Sequence, residues 1–164
     1  MPVYGIIVLM VYGWTMISFF WELPSWHNFL TFDELLKVLT YSILVNFLES
    51  LVVLCLPVLL SIILPKKWFY DSFISRGALT VILGLGYLMY FIQSFDVRID
   101  YPNLLVKATP LIFLVILLIA YIIDRVALVR KIMESFADRT IVFIYISLPL
   151  SILSLCVVVF NFIV

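Results

Sequence analysis

Five uninterrupted apolar runs, at residues 3–21, 37–64, 74–95, 104–124 and 140–163, constrain this chain more than any other feature. A helix crosses ~30 Å of hydrocarbon in about 20 residues, and each run meets that length. None shows the alternation of a barrel strand, and each is about twice as long as such a strand needs. Inside hydrocarbon every backbone N–H and C=O must bond within the protein, so helices are the elements that fit. The fold class read from this pattern is all-α. It is a polytopic membrane bundle of five transmembrane helices forming one domain over residues 1–164. Composition agrees, with 66% of residues hydrophobic and only 12% charged, where soluble domains carry about half and a quarter.

The charges between the runs set the orientation. Connection 1–2 (21–37) holds Glu22, Asp33 and Glu34 against Lys37, and connection 3–4 holds Asp96 and Asp100 against Arg98, with Lys107 just inside the next run. Connection 2–3 carries Lys66, Lys67 and Arg76, and connection 4–5 carries Arg125, Arg130, Lys131 and Arg139. Basic residues collect on the cytoplasmic side, so these seven are expected inside, with the N-terminus inside and the C-terminus outside. The first run lacks a basic leader and a small-residue cleavage pattern, and is read as a retained span. The expected host is the cytoplasmic (plasma) membrane.

Local signals sharpen the ends. "TFDE" (31–34) reads as a capping box, Thr31 accepting from the Glu34 amide while Glu34 reaches back, with Leu30 and Leu35 as the hydrophobic staple. Asp71 and Asp138 are placed as N-caps of the third and fifth helices. Trp14, Trp21, Trp26, Trp68, Tyr70 and Tyr101 mostly cluster near span ends, where amphipathic rings favour the interface. The stretch 125–137 puts Val126, Val129, Met133 and Phe136 on one helical face. Arg130, Lys131 and Glu134 lie elsewhere on it, as does Asp138 just beyond. It reads either as a helix on the inner headgroups or as a continuation of the fourth helix.

Few residues carry chemistry. Glu49 interrupts "LVNFLESLVVL" (44–54), where an ionised carboxylate costs on the order of 2.5–3.5 kcal/mol on the insertion scale. Ser42, Asn46, Glu49 and Ser50 follow helical spacing and form one polar stripe, which must face protein or water. Its two readings are a functional one, a proton or cation site or a polar contact for a substrate headgroup, and a neutral carboxyl that glues helices together. Lys107 is the candidate partner of Glu49, with snorkelling outward as its simpler fate. Gly77, Thr80 and Gly84 on the third span, and Ser147, Ser151 and Ser154 on the fifth with Asn161 beyond them, are expected helix-packing faces. Pro57, Pro110 and Pro149 each interrupt a helix and free a carbonyl. Cys55 and Cys156 read as small packing residues, and Asp124–Arg125 as a solvated or self-paired couple.

With a formal net charge of zero there is no basic surface for nucleic acid, and a single histidine, His27, excludes a His-rich metal site. No catalytic constellation, phosphate-cradling loop or cofactor signature is present, so the chain is not read as an enzyme. "PKKWFYDSFISRGALTVILGLGYLMY" and "DRTIVFIYISLPLSILSLCVVVFNFIV" resemble the third and fifth helices of the N-terminal membrane domain of sulfatase-like lipid-headgroup transferases, the lipoteichoic acid synthase and phosphoethanolamine transferase type. The resemblance implies five helices, the N-terminus inside, and an extracytoplasmic catalytic domain after the fifth. This sequence stops at Val164, so no functional residue carries over. The readings that follow are an anchor, scaffold or accessory subunit, a small transporter or channel subunit using Glu49, and the membrane domain of a transferase without its catalytic part. The partners expected are the lipid bilayer and a membrane protein or further copies of the chain.

Overall fold

The computed structural model describes residues 1–66, 69, 72–94 and 103–163, with side chains at 107–161 in the last segment. Among the described residues there are five helices and no strand: α1 Pro2–Trp26, α2 Phe32–Ile63, α3 Phe73–Ser94, α4 Asn103–Asp124 and α5 Ala127–Ile163. Each is long and apolar enough to cross a membrane. Asp71 as a helix cap, and Lys67, Trp68, Tyr70, Asp96, Arg98, Asp100 and Tyr101, lie outside the described residues.

The helices form two compact units. One gathers Val3–Leu56 with Thr140–Val164, and the other is Pro57–Arg139. The long helices α2 and α5 therefore contribute to both, α2 changing unit at a buried proline, Pro57.

In the first unit the N-terminal half of α1 is buried almost all round, with Ile6, Ile7 and Val8 at most 1% exposed. A helix that is apolar on every side fits such a position. Gly5 explains how closely it packs. A Cβ there would lie 2.8 Å from the backbone carbon and oxygen of Thr140 on α5. Only a residue without a side chain permits that approach. In the second unit α3 packs against α4, burying Ala78, Val81 and Leu85 from α3 and Ile116 and Ala120 from α4.

Several boundaries differ from those read in the sequence. α1 runs past residue 21 to Trp26, carrying Pro24 inside it. At the start of α2 the Glu34 carboxylate accepts both the Thr31 backbone N–H (2.7 Å) and the Thr31 hydroxyl (2.9 Å). The hydroxyl thus donates to the carboxylate and does not accept from the Glu34 amide, because a charged oxygen is the stronger acceptor within reach. The stretch 125–137 neither continues α4 nor stands alone: from Ala127 onward it is the first part of α5, which is 37 residues long. α4 ends where Arg125 and Val126 donate to carbonyls three residues back, Ile122 and Ile123, a tightening common at helix ends. Asp138 is consequently no cap. It sits inside α5 with its side chain exposed, where a short carboxylate is tolerated. Cys55 and Cys156 are exposed free thiols and do not serve as packing residues.

Candidate functional site

The first unit holds a seam of polar side chains between α1 and its neighbours. From α1, Tyr4 pairs its hydroxyl with Ser50 of α2 (3.2 Å), and Tyr12 pairs with Ser151 of α5 (2.7 Å). The Thr15 hydroxyl is shared between the Val11 carbonyl (3.1 Å) and Oδ1 of Asn46 (2.8 Å). Ser50 and Ser151 also donate back along their own helices, to Phe47 and Ser147 carbonyls. Of the two expected stripes, Asn46, Ser50, Ser147, Ser151 and Ser154 are buried, and Ser42 is half-buried and bonded to the Val38 carbonyl. Asn161 is exposed. Missing from the sequence reading were the α1 partners, Tyr4, Tyr12 and Thr15. A helix apolar on all sides shows no polar face to single them out.

Glu49 is not in the seam. It is exposed on α2 and, among the described residues, has no partner. Successive residues turn by about 100°, so Glu49 lies about 60° around the helix from Asn46, on the side away from Ser50. The α2 contact uses the Ile43, Asn46 and Ser50 edge, which leaves Glu49 outside it. Its neighbours Val45, Leu48 and Val52 are exposed as well. Within the first unit the Glu49 carboxyl therefore bonds no other helix. Lys107 is exposed on α4, and neither residue enters any of the three ion pairs among the described residues.

On α3, Gly77 and Thr80 are buried, but Gly84 is only half-buried and a Cβ there would meet nothing within 4 Å. The close-contact face thus covers the first half of α3 alone. Thr80 bonds the Arg76 carbonyl at 2.8 Å.

The second unit contains a charged cluster that the sequence did not announce. Arg76, in the first turn of α3, places Nε 2.7 Å from Oδ2 of Asp124, the last residue of α4. Their side chains are 12% and 2% exposed. The pair replaces the solvated or self-paired Asp124–Arg125 couple expected above. Each charge sits at the helix end where the backbone dipole disfavours it, a cation at an N-terminus and an anion at a C-terminus. Pairing across antiparallel neighbours compensates both. The guanidinium carbons of Arg76 and Arg125 each lie 5.1 Å from the centroid of the Tyr121 ring, within cation–π range. Arg125 also donates to the Tyr121 hydroxyl at 2.8 Å, which holds it further in its charged form. Oδ1 of Asp124 is buried with no partner among the described residues. Arg76, Thr80 and Tyr121 line one part of a cavity of about 520 Å³, and apolar side chains of α4 together with Leu64 and Phe69 line the rest.

Comparison with protein-family models, curated proteins and solved structures finds no match for this chain. Function must therefore be argued from the two sites themselves. Among the described residues no group of three or more His, Cys, Asp or Glu is placed to hold a metal ion.

Proposed function

We propose that this chain is a multi-pass integral membrane protein, N-terminus inside and C-terminus outside, that anchors or scaffolds a partner within the membrane. The observation carrying this reading is Glu49, exposed in the middle of α2 among exposed Val45, Leu48 and Val52. An uncovered ionised carboxylate in hydrocarbon costs on the order of 2.5–3.5 kcal/mol. Protonation removes the charge but leaves polar oxygens without partners. A helix of another membrane protein that brings an amide, a hydroxyl or a cation to this height relieves that cost and covers the apolar neighbours together. The orientation rests on the basic residues of connections 2–3 and 4–5. Transport through one copy is less well supported, because Ser50, Ser151 and Asn46 Oδ1 are already bonded to Tyr4, Tyr12 and Thr15, which leaves Asn46 Nδ2 as the buried side-chain atom of the first unit without a partner among the described residues. The transferase-anchor reading shares the orientation but has no site residue to support it.

Photo-crosslinking in native membranes tests the proposal. A photoreactive residue at Val45, Leu48 or Val52 should give one discrete protein adduct, and Glu49→Leu should weaken it several-fold. Adducts to lipid alone at all three positions would overturn it. A Glu49 carboxyl infrared band that titrates near neutral pH or moves with added cation would put transport first.

A further inference from the structure

The first part of α5, residues 127–139, has one face packed in the second unit and one left uncovered. Val129 and Met133 are half-buried and Ala137 is buried. Around the helix from them, Lys131, Ser135 and Arg139 stand in a row at intervals of four residues, flanked by Leu128, Ile132 and Phe136. These side chains line an open cavity of about 670 Å³, within the usual range of small-ligand sites. All of them are exposed, Leu128 by 67% and Ile132 by 51%. Both cations are unanswered: neither Lys131 nor Arg139 enters any of the three ion pairs among the described residues. The acids of this stretch lie off the cavity. Glu134 holds Arg130 at 3.0 Å, and the exposed Asp138 is not part of the described lining. That lining therefore carries two positive charges and no negative one.

We infer that this cavity binds the phosphate of an anionic phospholipid of the inner leaflet, with the start of its acyl chains along Leu128, Ile132 and Phe136. Lys131 and Arg139 are about 12 Å apart along the helix axis, with Ser135 midway. Both long side chains reach a phosphate seated over Ser135. Arg139 offers its oxygens a planar fork, Lys131 a compact charge, and Ser135 a hydroxyl donor. Free phosphate leaves the apolar side chains uncovered, and a zwitterionic headgroup brings a cation of its own against Lys131 and Arg139. An anionic lipid answers both parts of the cavity. The inference rests on the membrane reading proposed above, which also sets the depth. Only Arg125 and Val126 separate the end of α4 from the start of α5, so α5 begins where α4 leaves the hydrocarbon. Its 37 residues span ~55 Å, against ~40–45 Å for a bilayer with its headgroups. A tilted α5 thus holds 127–139 among the inner headgroups, where anionic lipids collect.

The experiment uses the full chain extracted from membranes, released from micelles containing equal phosphatidylglycerol and phosphatidylcholine, and weighed by native mass spectrometry. Phosphatidylglycerol carries its one charge on the phosphate, so a preference for it reads the two cations. The wild type should retain it over phosphatidylcholine roughly tenfold. Lys131→Gln and Arg139→Gln should each cut that preference about threefold, and the double variant should abolish it. Both side chains are exposed and unpaired among the described residues, so the helical circular dichroism spectrum should not change. Arg130→Gln/Glu134→Gln removes a pair off the cavity and should leave the preference intact; its loss there would overturn the assignment to this cavity. Equal retention by the wild type, or a preference that survives Lys131→Gln/Arg139→Gln, overturns the inference. So does displacement of the lipid by inorganic phosphate, which would assign the cavity to the free anion. A photoreactive residue at Ile132 in native membranes should capture lipid. A discrete protein adduct there would give the cavity to an acidic protein partner and overturn the lipid assignment. Failure of the membrane reading shows separately, as release of the protein by alkaline carbonate without detergent.

Discussion

Gly5 in the first unit and Asp124 in the second each sit in a tightly specified place, one against the Thr140 backbone and the other against Arg76. Removing one partner of a buried ion pair strands the other, at a cost of about 3–5 kcal/mol. Asp124→Ala should therefore lower thermal stability in detergent far more than a double change of Arg76 and Asp124 to Met and Leu, which takes both charges away. Equal losses from the two variants would show that shape, not charge, matters there. Gly5 faces the Thr140 backbone, which cannot yield as a flexible side chain can. Gly5→Leu should force α1 and α5 apart and destabilise by at least about 1–3 kcal/mol, the range for overpacked cores. Gly84→Ala should do the opposite. It meets open space, so the better helix propensity of alanine adds up to about 1 kcal/mol. Thermal melts of the two glycine variants beside the wild type check both expectations. The helical spacing singles out Gly84, and not Gly5, as a packing position, whereas the fold places the Thr140 backbone opposite Gly5 and open space opposite Gly84.

At the scale of single helices, the entry to α2 is the best-defined feature. Glu34 accepts the Thr31 amide first and its hydroxyl second, and these bonds hold its pKa below the ordinary 4.5. A carboxylate whose folded pKa is depressed contributes stability that is complete above its unfolded pKa. That contribution fades as the pH falls through the lower, folded value. The Thr31 amide proton shift should therefore titrate below pH 4.5 and become flat in Glu34→Gln. A Thr31 shift that moves identically in both proteins would show that Glu34 does not cap the helix. "TFDE" made this boundary legible because a capping box is local chemistry, complete within four residues. The fourth apolar run ends at Asp124 as α4 does, but the sequence leaves open whether 125–137 continues it across the break at Arg125–Val126. The break contains no Gly, Pro or Asn, and the residue before it, Asp124, is held by Arg76, 48 residues away. Pro57, Pro110 and Pro149 lie inside α2, α4 and α5, within the apolar runs that marked those spans.

For the molecule as a whole, the proposed orientation makes a direct prediction. In a chain with Cys55 and Cys156 replaced, a cysteine at Arg130 should react with an impermeant thiol reagent only from the cytoplasmic side, and one at His27 only from the other. The reversed pattern would invert the orientation. Reaction of both from one side would remove an odd number of crossings between them.

The number of apolar helices and their approximate ends follow from the sequence, because runs of about 20 apolar residues and local caps are properties of neighbours in the chain. The buried fate of Asn46, Ser50, Ser147, Ser151 and Ser154 was also visible as periodic stripes. The tertiary structure alone decided that Glu49 faces outward while Asn46 and Ser50 turn in. It alone paired Arg76 with Asp124, found Tyr4, Tyr12 and Thr15 as the partners of the seam, and brought Gly5 close against the Thr140 backbone. Periodicity says that a polar face exists, but a face is wider than the contact it makes. Which edge is covered depends on the rotation of one packed helix against another, and that rotation is set by side chains distant in the chain.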